Sequence, residues 1–204
     1  MKNKLIIRWA LFIVGIVILT FGARMLLLSN LGVGGLDAVA IGLSRWTGMS
    51  IGTLIILLGV TLIIIGGSIN KHFDILPIGV SLLIGCFYDG WGVLLFNQMV
   101  SPTHRLYTGY VFLIGILITP LGAALYILSK ISVGPVDYVM LAIRKRYSSS
   151  IQSSRILLES TFVIIGWLIG GPIGVGTICI MLFWGLILQV YLKATEGVLK
   201  KYTD

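Results

Sequence analysis

Six long apolar runs dominate this chain and limit what it can fold into. They lie near residues 9–28, 51–69, 75–96, 107–128, 152–170 and 173–192. A helix needs about 20 apolar residues to cross roughly 30 Å of hydrocarbon. Lipid offers no hydrogen bonds to the backbone, so a spanning segment must be a helix or part of a closed barrel, and continuous apolar runs indicate helices. We therefore predict an all-α, polytopic membrane protein with six transmembrane helices.

The basic residues predict how these helices are oriented. The formal net charge is +8, which in a soluble protein would raise the question of nucleic acid binding. With the N-terminus inside, the cytoplasmic segments hold Lys2, Lys4, Arg8, Lys71, Lys130, Arg144, Lys145, Arg146, Arg155, Lys193, Lys200 and Lys201. The opposite side holds only Arg24, Arg45 and Arg105. This bias predicts a multi-pass plasma-membrane protein with both termini in the cytoplasm, whose basic residues contact anionic lipid and not nucleic acid.

The chain repeats itself at a shift of 100 residues. Gly22, Ala23, Leu28, Ser29, Val33, Gly34, Asp37 and Val39 fall on Gly122, Ala123, Leu128, Ser129, Val133, Gly134, Asp137 and Val139. Each half, 1–100 and 101–204, therefore contains three predicted helices. Three is odd, so the second half must begin on the opposite side of the bilayer. We predict two inverted three-helix repeats within one membrane domain, an arrangement that many secondary transporters use.

A short helical segment is predicted after the first long helix of each half. The stretches VGGLD (33–37) and VGPVD (133–137) combine residues that favour a helix start: glycine suits an N-cap, proline the first helical position, and an acid the first turn. Two interpretations stay open at this stage. The short helices either lie on the membrane surface or dip between the long helices, where such backbone is tolerated if it lines a cavity. In the second case we expect a substrate or ion site made by Gly34, Gly35, Asp37, Gly134 and Asp137.

Four further charged residues fall inside apolar runs, where each needs a partner or a wet cavity. Arg24 either extends to the outer interface or pairs with Asp37 or Asp89, and we include Arg24 and Asp89 in the candidate site. Arg155 and Glu159 are four residues apart and share a helix face. They form either a structural ion pair near the inner surface or a relay.

The motifs of several enzyme classes are missing from the sequence. It contains no P-loop, no HExxH helix and no paired-cysteine motif. Neither His72 nor His104 is placed to serve a catalytic serine or cysteine. Cys86 and Cys179 are predicted to be buried, reduced thiols. We expect no enzymatic activity, no cofactor and no metal site.

The chain resembles the bacterial YczE/YyaS/YitT family of small membrane proteins. The resemblance rests on LGVGGLDAVAIGLSRWTGMSIGT from Leu31 to Thr53, ISVGPVDYVM from Ile131 to Met140, and GPIGVGTI from Gly171 to Ile178. It implies a multi-pass plasma-membrane protein related to exporters of small molecules. Asp37 is implied as the acid of the family motif, with Asp137 as its internal copy.

These observations favour a secondary transporter, an exporter of a small organic molecule with its cavity between the two halves. In this interpretation Asp37, Asp137 and Asp89 bind protons or cations, and Arg24 holds an anionic group or an acid. Two other classes stay open: the substrate-binding membrane subunit of an energy-coupling vitamin importer, and a membrane scaffold or assembly factor that transports nothing. A homodimer is also compatible with six thin helices that bury little surface.

Overall fold

The computed structural model describes residues 2–99 and 104–203, and the side chains of residues 4–99 and 104–195. Within these ranges all regular structure is helical. The helices are α1 (Lys2–Ser29), α2 (Gly35–Thr47), α3 (Ile51–Asn70), α4 (Leu76–Leu94), a 3₁₀ turn (Phe96–Gln98), α5 (Arg105–Leu128), α6 (Pro135–Tyr147), α7 (Ile151–Leu168) and α8 (Val175–Thr203). The predicted all-α class is confirmed. The predicted boundary between the halves, at residues 100 and 101, lies outside the described residues.

Helices α2 and α6 are the two short segments that the sequence predicts. Gly34 is the N-cap of α2 and Gly134 the N-cap of α6, with Pro135 as the first helical residue. Each short helix has 13 residues, which at 1.5 Å per residue gives about 20 Å. Such a length is too short to cross a bilayer of roughly 30 Å.

Five helical segments are long and apolar enough to cross a membrane. They are Lys4–Ser29, Ile51–Asn70, Leu76–Gln98, Arg105–Leu128 and Val175–Thr195. The helix at the fifth predicted span, α7, falls outside this group because Gln152, Arg155 and Glu159 make its first half polar. The predicted count of six spans is therefore not confirmed.

Helices α1 and α5 pack closely through glycines. A methyl group added at Gly122 would lie 2.6 Å from the carbonyl oxygen of Gly15, and one added at Gly115 would lie 3.2 Å from that of Gly22. Residue 15 thus lies near 122 while 22 lies near 115, so the two helices run antiparallel. Close approach of two backbones through small residues is the usual mode of helix association in membranes.

Each short helix packs on a long helix from the other half of the chain. Helix α2 packs on α7, and α6 packs on α3. A methyl group at Gly35 would lie 2.9 Å from the carbonyl oxygen of Glu159, whereas one at Gly59 would lie 3.0 Å from the Pro135 ring. These two contacts correspond to each other at the shift of 100 residues. The halves are therefore interlocked, and the N-termini of α2 and α6 lie inside the helix bundle.

Burial shows how the short helices pack and where the two cysteines lie. Ala38, Ala40, Val139 and Met140 are almost completely buried, so one face of α2 and one face of α6 pack against other helices. The expectation that both cysteines are buried is wrong, because Cys86 is exposed and Cys179 is only partly buried. Cys86 lies on the outer face of α4, where an apolar thiol is compatible with lipid.

Candidate functional site

A cavity of about 120 Å³ lies where the two halves meet. Residues of all eight α-helices line it, and its polar and aromatic walls consist of Asp37, Ser81, Thr119, Tyr126, Asp137, Arg155, Glu159 and Trp184. The N-cap residues Gly34 and Gly134 also line it. Four of the seven candidate residues predicted from the sequence thus lie on a single cavity.

Asp137 belongs to a network of buried polar groups. Its Oδ2 accepts a hydrogen bond from the hydroxyl of Tyr126, and its Oδ1 lies 3.5 Å from Nη1 of Arg155. Nη2 of Arg155 lies 2.5 Å from Oε1 of Glu159, four residues further along α7. The Arg155 guanidinium lies over the ring of Trp184, 3.8 Å from its centroid. Helices α5, α6, α7 and α8 are therefore joined through one guanidinium.

Glu159 extends this network to the N-terminus of α2. Its Oε2 accepts a hydrogen bond of 2.8 Å from the backbone N–H of Gly35. A carboxylate at this position satisfies one of the unpaired N–H groups of the helix start and interacts favourably with the helix dipole. Gly35, a predicted site residue that does not line the cavity, contributes through this backbone group.

Asp37 differs from Asp137 in its contacts. Its carboxylate lines the cavity and is only partly buried. It makes no hydrogen bond or ion pair with any residue in the described part of the chain. The two acids that correspond to each other in the repeat therefore have different surroundings. The Asp137 carboxylate contacts protein groups, whereas the Asp37 carboxylate faces the cavity.

Arg24 and Asp89 form a separate cluster. Arg24 is 7% exposed, so its side chain is enclosed by the protein. Its Nε donates a hydrogen bond of 2.7 Å to the carbonyl oxygen of Tyr88, and its Nη2 lies 3.7 Å from Oδ1 of Asp89. Asp89 also accepts a hydrogen bond of 2.8 Å from the N–H of Gly52 at the start of α3. Of the two partners that the sequence allows for Arg24, the structure selects Asp89, and neither residue of this pair is among the described residues that line the cavity.

Six of the polar and aromatic residues that line the cavity were not predicted from the sequence: Ser81, Thr119, Tyr126, Arg155, Glu159 and Trp184. The sequence did indicate a role for Arg155 and Glu159, because charged residues four apart in an apolar run imply a buried pair. That pair exists, but it lines the central cavity. Tyr126 and Trp184 carried no such signal, because aromatic residues in apolar helices usually pack without a polar role. Within residues 2–99 and 104–203, no group of three or more His, Cys, Asp or Glu side chains is arranged to hold a metal ion.

Comparison with known proteins places the chain in a family. A family model described as "Family of unknown function (DUF6198)" matches residues 6–193. The chain belongs to this DUF6198 family. No solved structure matches it significantly.

Relatives in two bacteria are similar over most of the chain. "Uncharacterized protein YyaS" of Bacillus subtilis (strain 168) is 32% identical over 187 residues, which cover 90% of this chain and 91% of the relative. "Uncharacterized membrane protein YczE" of the same strain is 30% identical, covering 98% and 92%. An "Uncharacterized protein" of Haemophilus influenzae is 28% identical, covering 94% and 84%. The predicted resemblance to YczE and YyaS is confirmed, and the name of YczE together with the five apolar helices indicates a membrane location.

Proposed function

We propose that this protein is a secondary transporter that exports a small organic molecule by alternating access between two inverted three-helix repeats. The observation that carries the proposal is the cavity between the halves, lined by Asp37 and Asp137 at the starts of two short helices. Helix starts that meet inside the bundle beside ionisable side chains are the usual construction of transporter sites.

The packing of the helices supports the inverted repeat. The antiparallel glycine contacts of α1 and α5, and the exchange of short helices between the halves, are both related by the shift of 100 residues. Two oppositely oriented halves would produce this pattern. Rocking one half against the other would then open the cavity to each side in turn.

In this proposal helix α7 is the sixth membrane-spanning helix. Its 18 residues correspond to about 27 Å, close to the thickness of the hydrocarbon core. Its charged residues, Arg155 and Glu159, are turned to the cavity and are nearly fully buried. A helix whose charges face the bundle interior can lie in the bilayer in spite of its lower hydropathy.

Transport in proteoliposomes tests this proposal. A panel of small organic cations, anions and neutral solutes is applied to vesicles that carry a pH gradient and a trapped pH-sensitive dye. We expect at least one solute to drive proton movement, and we expect this movement to be lost when Asp37→Asn is combined with Asp137→Asn. The matched control is Asp74→Asn, which removes a carboxylate from the loop before α4 while the new amide can still cap Leu76.

Two outcomes would contradict the proposal. One is the absence of solute-driven proton movement for every member of the panel. The other is movement that the double substitution leaves at the level of the Asp74→Asn control.

A further inference from the structure

We propose that the cavity binds a small organic cation, of the size of guanidinium or methylammonium, through the carboxylate of Asp37. This inference rests on the proposed transport function and adds the chemical class of the substrate. Three observations support it: the charges of the side chains that line the cavity, the partners that these side chains already have, and the cavity volume.

The cavity walls carry more acidic than basic groups. Asp37, Asp137 and Glu159 line it together with a single basic residue, Arg155. With all four side chains ionised, the walls bear three negative charges and one positive charge. Buried charge is unfavourable unless it is paired, so the excess negative charge is balanced either by a proton on a carboxylate or by a bound cation.

Most of the positive groups that an anion would need are already engaged. The Arg155 guanidinium lies between Glu159, at 2.5 Å, and Asp137, at 3.5 Å, and only its buried Nε has no hydrogen-bond partner among the described residues. The N–H of Gly35 at the start of α2 donates to Glu159. To contact the Nη atoms of Arg155 or the N–H of Gly35, an anionic substrate would have to displace these carboxylates.

The negative groups, in contrast, have free acceptor positions. The Asp37 carboxylate has no partner in the described part of the chain. Oδ1 of Asp137 lies 3.5 Å from Nη1 of Arg155, but it is buried and accepts no hydrogen bond from any described residue. A positively charged hydrogen-bond donor would fill these positions with charge-assisted bonds.

The size of the cavity favours a small substrate. An apolar cavity of about 150 Å³ holds benzene, so a volume of about 120 Å³ suits a molecule somewhat smaller. The Trp184 ring is already covered by the guanidinium of Arg155 at 3.8 Å, so a bound cation would contact the carboxylates and not this ring. The cavity volume is therefore compatible with a guanidinium or a methylated ammonium group.

A direct binding measurement on the purified protein in detergent tests this inference. Radiolabelled guanidinium is the probe, and unlabelled guanidinium, methylammonium chloride, sodium chloride and sodium acetate compete at equal ionic strength. We expect saturable binding that guanidinium and methylammonium displace and that the two sodium salts do not. Asp37→Asn should weaken binding by about tenfold or more because the ionic partner is lost, whereas Asp74→Asn should leave it unchanged.

Asp37→Asn is a suitable variant because the Asp37 carboxylate holds no other described residue. Asp37→Glu, which keeps the charge, should bind more tightly than Asp37→Asn, and size-exclusion chromatography checks that both variants are folded. Absence of saturable binding, equal displacement by sodium chloride, or equal affinity in Asp37→Asn and Asp74→Asn would overturn the inference. Solute-driven proton movement without guanidinium binding would overturn the cation site alone, whereas Asp37-dependent binding without any solute movement would overturn the transport function.

Discussion

Arg155 illustrates how a single charged residue can remain buried in an apolar protein. It is 8% exposed, and its guanidinium contacts Glu159, Asp137 and Trp184. Attraction at short range and in low dielectric compensates for the lost hydration only when the geometry is good. The side chain therefore depends on its acidic neighbours as much as they depend on it.

Breaking this pair should be more harmful than removing it. We expect Glu159→Leu alone to lower the free energy of unfolding by about 3–5 kcal/mol, because it leaves a buried guanidinium with the more distant Asp137 as its remaining acidic partner. Combining Glu159→Leu with Arg155→Met should recover most of this loss. Thermal unfolding in detergent of the wild type, both single variants and the double variant measures the coupling. Additive losses in the double variant would show that the two side chains do not stabilise each other.

At the scale of the elements, glycines decide which helices can meet. The α1–α5 contact leaves no room for a side chain, since a methyl group at Gly122 would lie 2.4 Å from the backbone nitrogen of Leu19. The contact holds the N-terminal helices of the two halves together. It therefore fixes the relative position of the two long helices that precede α2 and α6 in the chain.

A larger residue at this contact should separate the two helices. We expect Gly122→Val to lower the free energy of unfolding by about 1–3 kcal/mol or more, because the backbones must move apart. The matched control is Gly109→Val in the same helix, where an added methyl group has no neighbour within 4 Å, and its effect should stay within about 0.5 kcal/mol. Thermal unfolding in detergent compares the two variants, and equal melting temperatures would contradict the close contact.

At the scale of the whole molecule, the proposed inverted repeat places the exposed ends of the two short helices on opposite sides of the membrane. Their C-terminal aromatic residues, Trp46 and Tyr147, are 71% and 72% exposed. In the proposed topology Trp46 lies outside the cell and Tyr147 lies in the cytoplasm. The basic residues at the end of α6, Arg144 to Arg146, agree with a cytoplasmic position. The plasma membrane, the cytoplasmic termini and a homodimer stay predictions.

Cysteine labelling tests this topology. Trp46→Cys and Tyr147→Cys are each introduced into a variant that lacks Cys86 and Cys179, and intact cells are treated with a membrane-impermeant maleimide. We expect Trp46→Cys to react in intact cells and Tyr147→Cys to react only after permeabilisation, because a charged reagent does not cross the bilayer. Labelling after denaturation controls for expression. Reaction of both positions from the same side would contradict the inverted arrangement.

The sequence by itself determined the helical class, the two short helices and the starts of both. Apolar runs, glycine and proline at the helix starts, and an acid in the first turn act locally, so they can be read from neighbouring residues. The repeat also predicted that Asp37 and Asp137 are equivalent in the chain. It could not predict that one has protein partners and the other has none among the described residues, because those partners, Tyr126 and Arg155, lie on other helices, α5 and α7.

Only the tertiary structure decided which charged residues meet. The sequence left two possible partners for Arg24, and packing of α1 against α4 selected Asp89. It also left open whether the short helices lie on the surface, and their packing on α7 and α3 brought their starts into the bundle. The physical reason is the same in both cases. The energy of a buried charge, like that of a buried helix start, depends on groups from other helices, which become neighbours only when the helices pack.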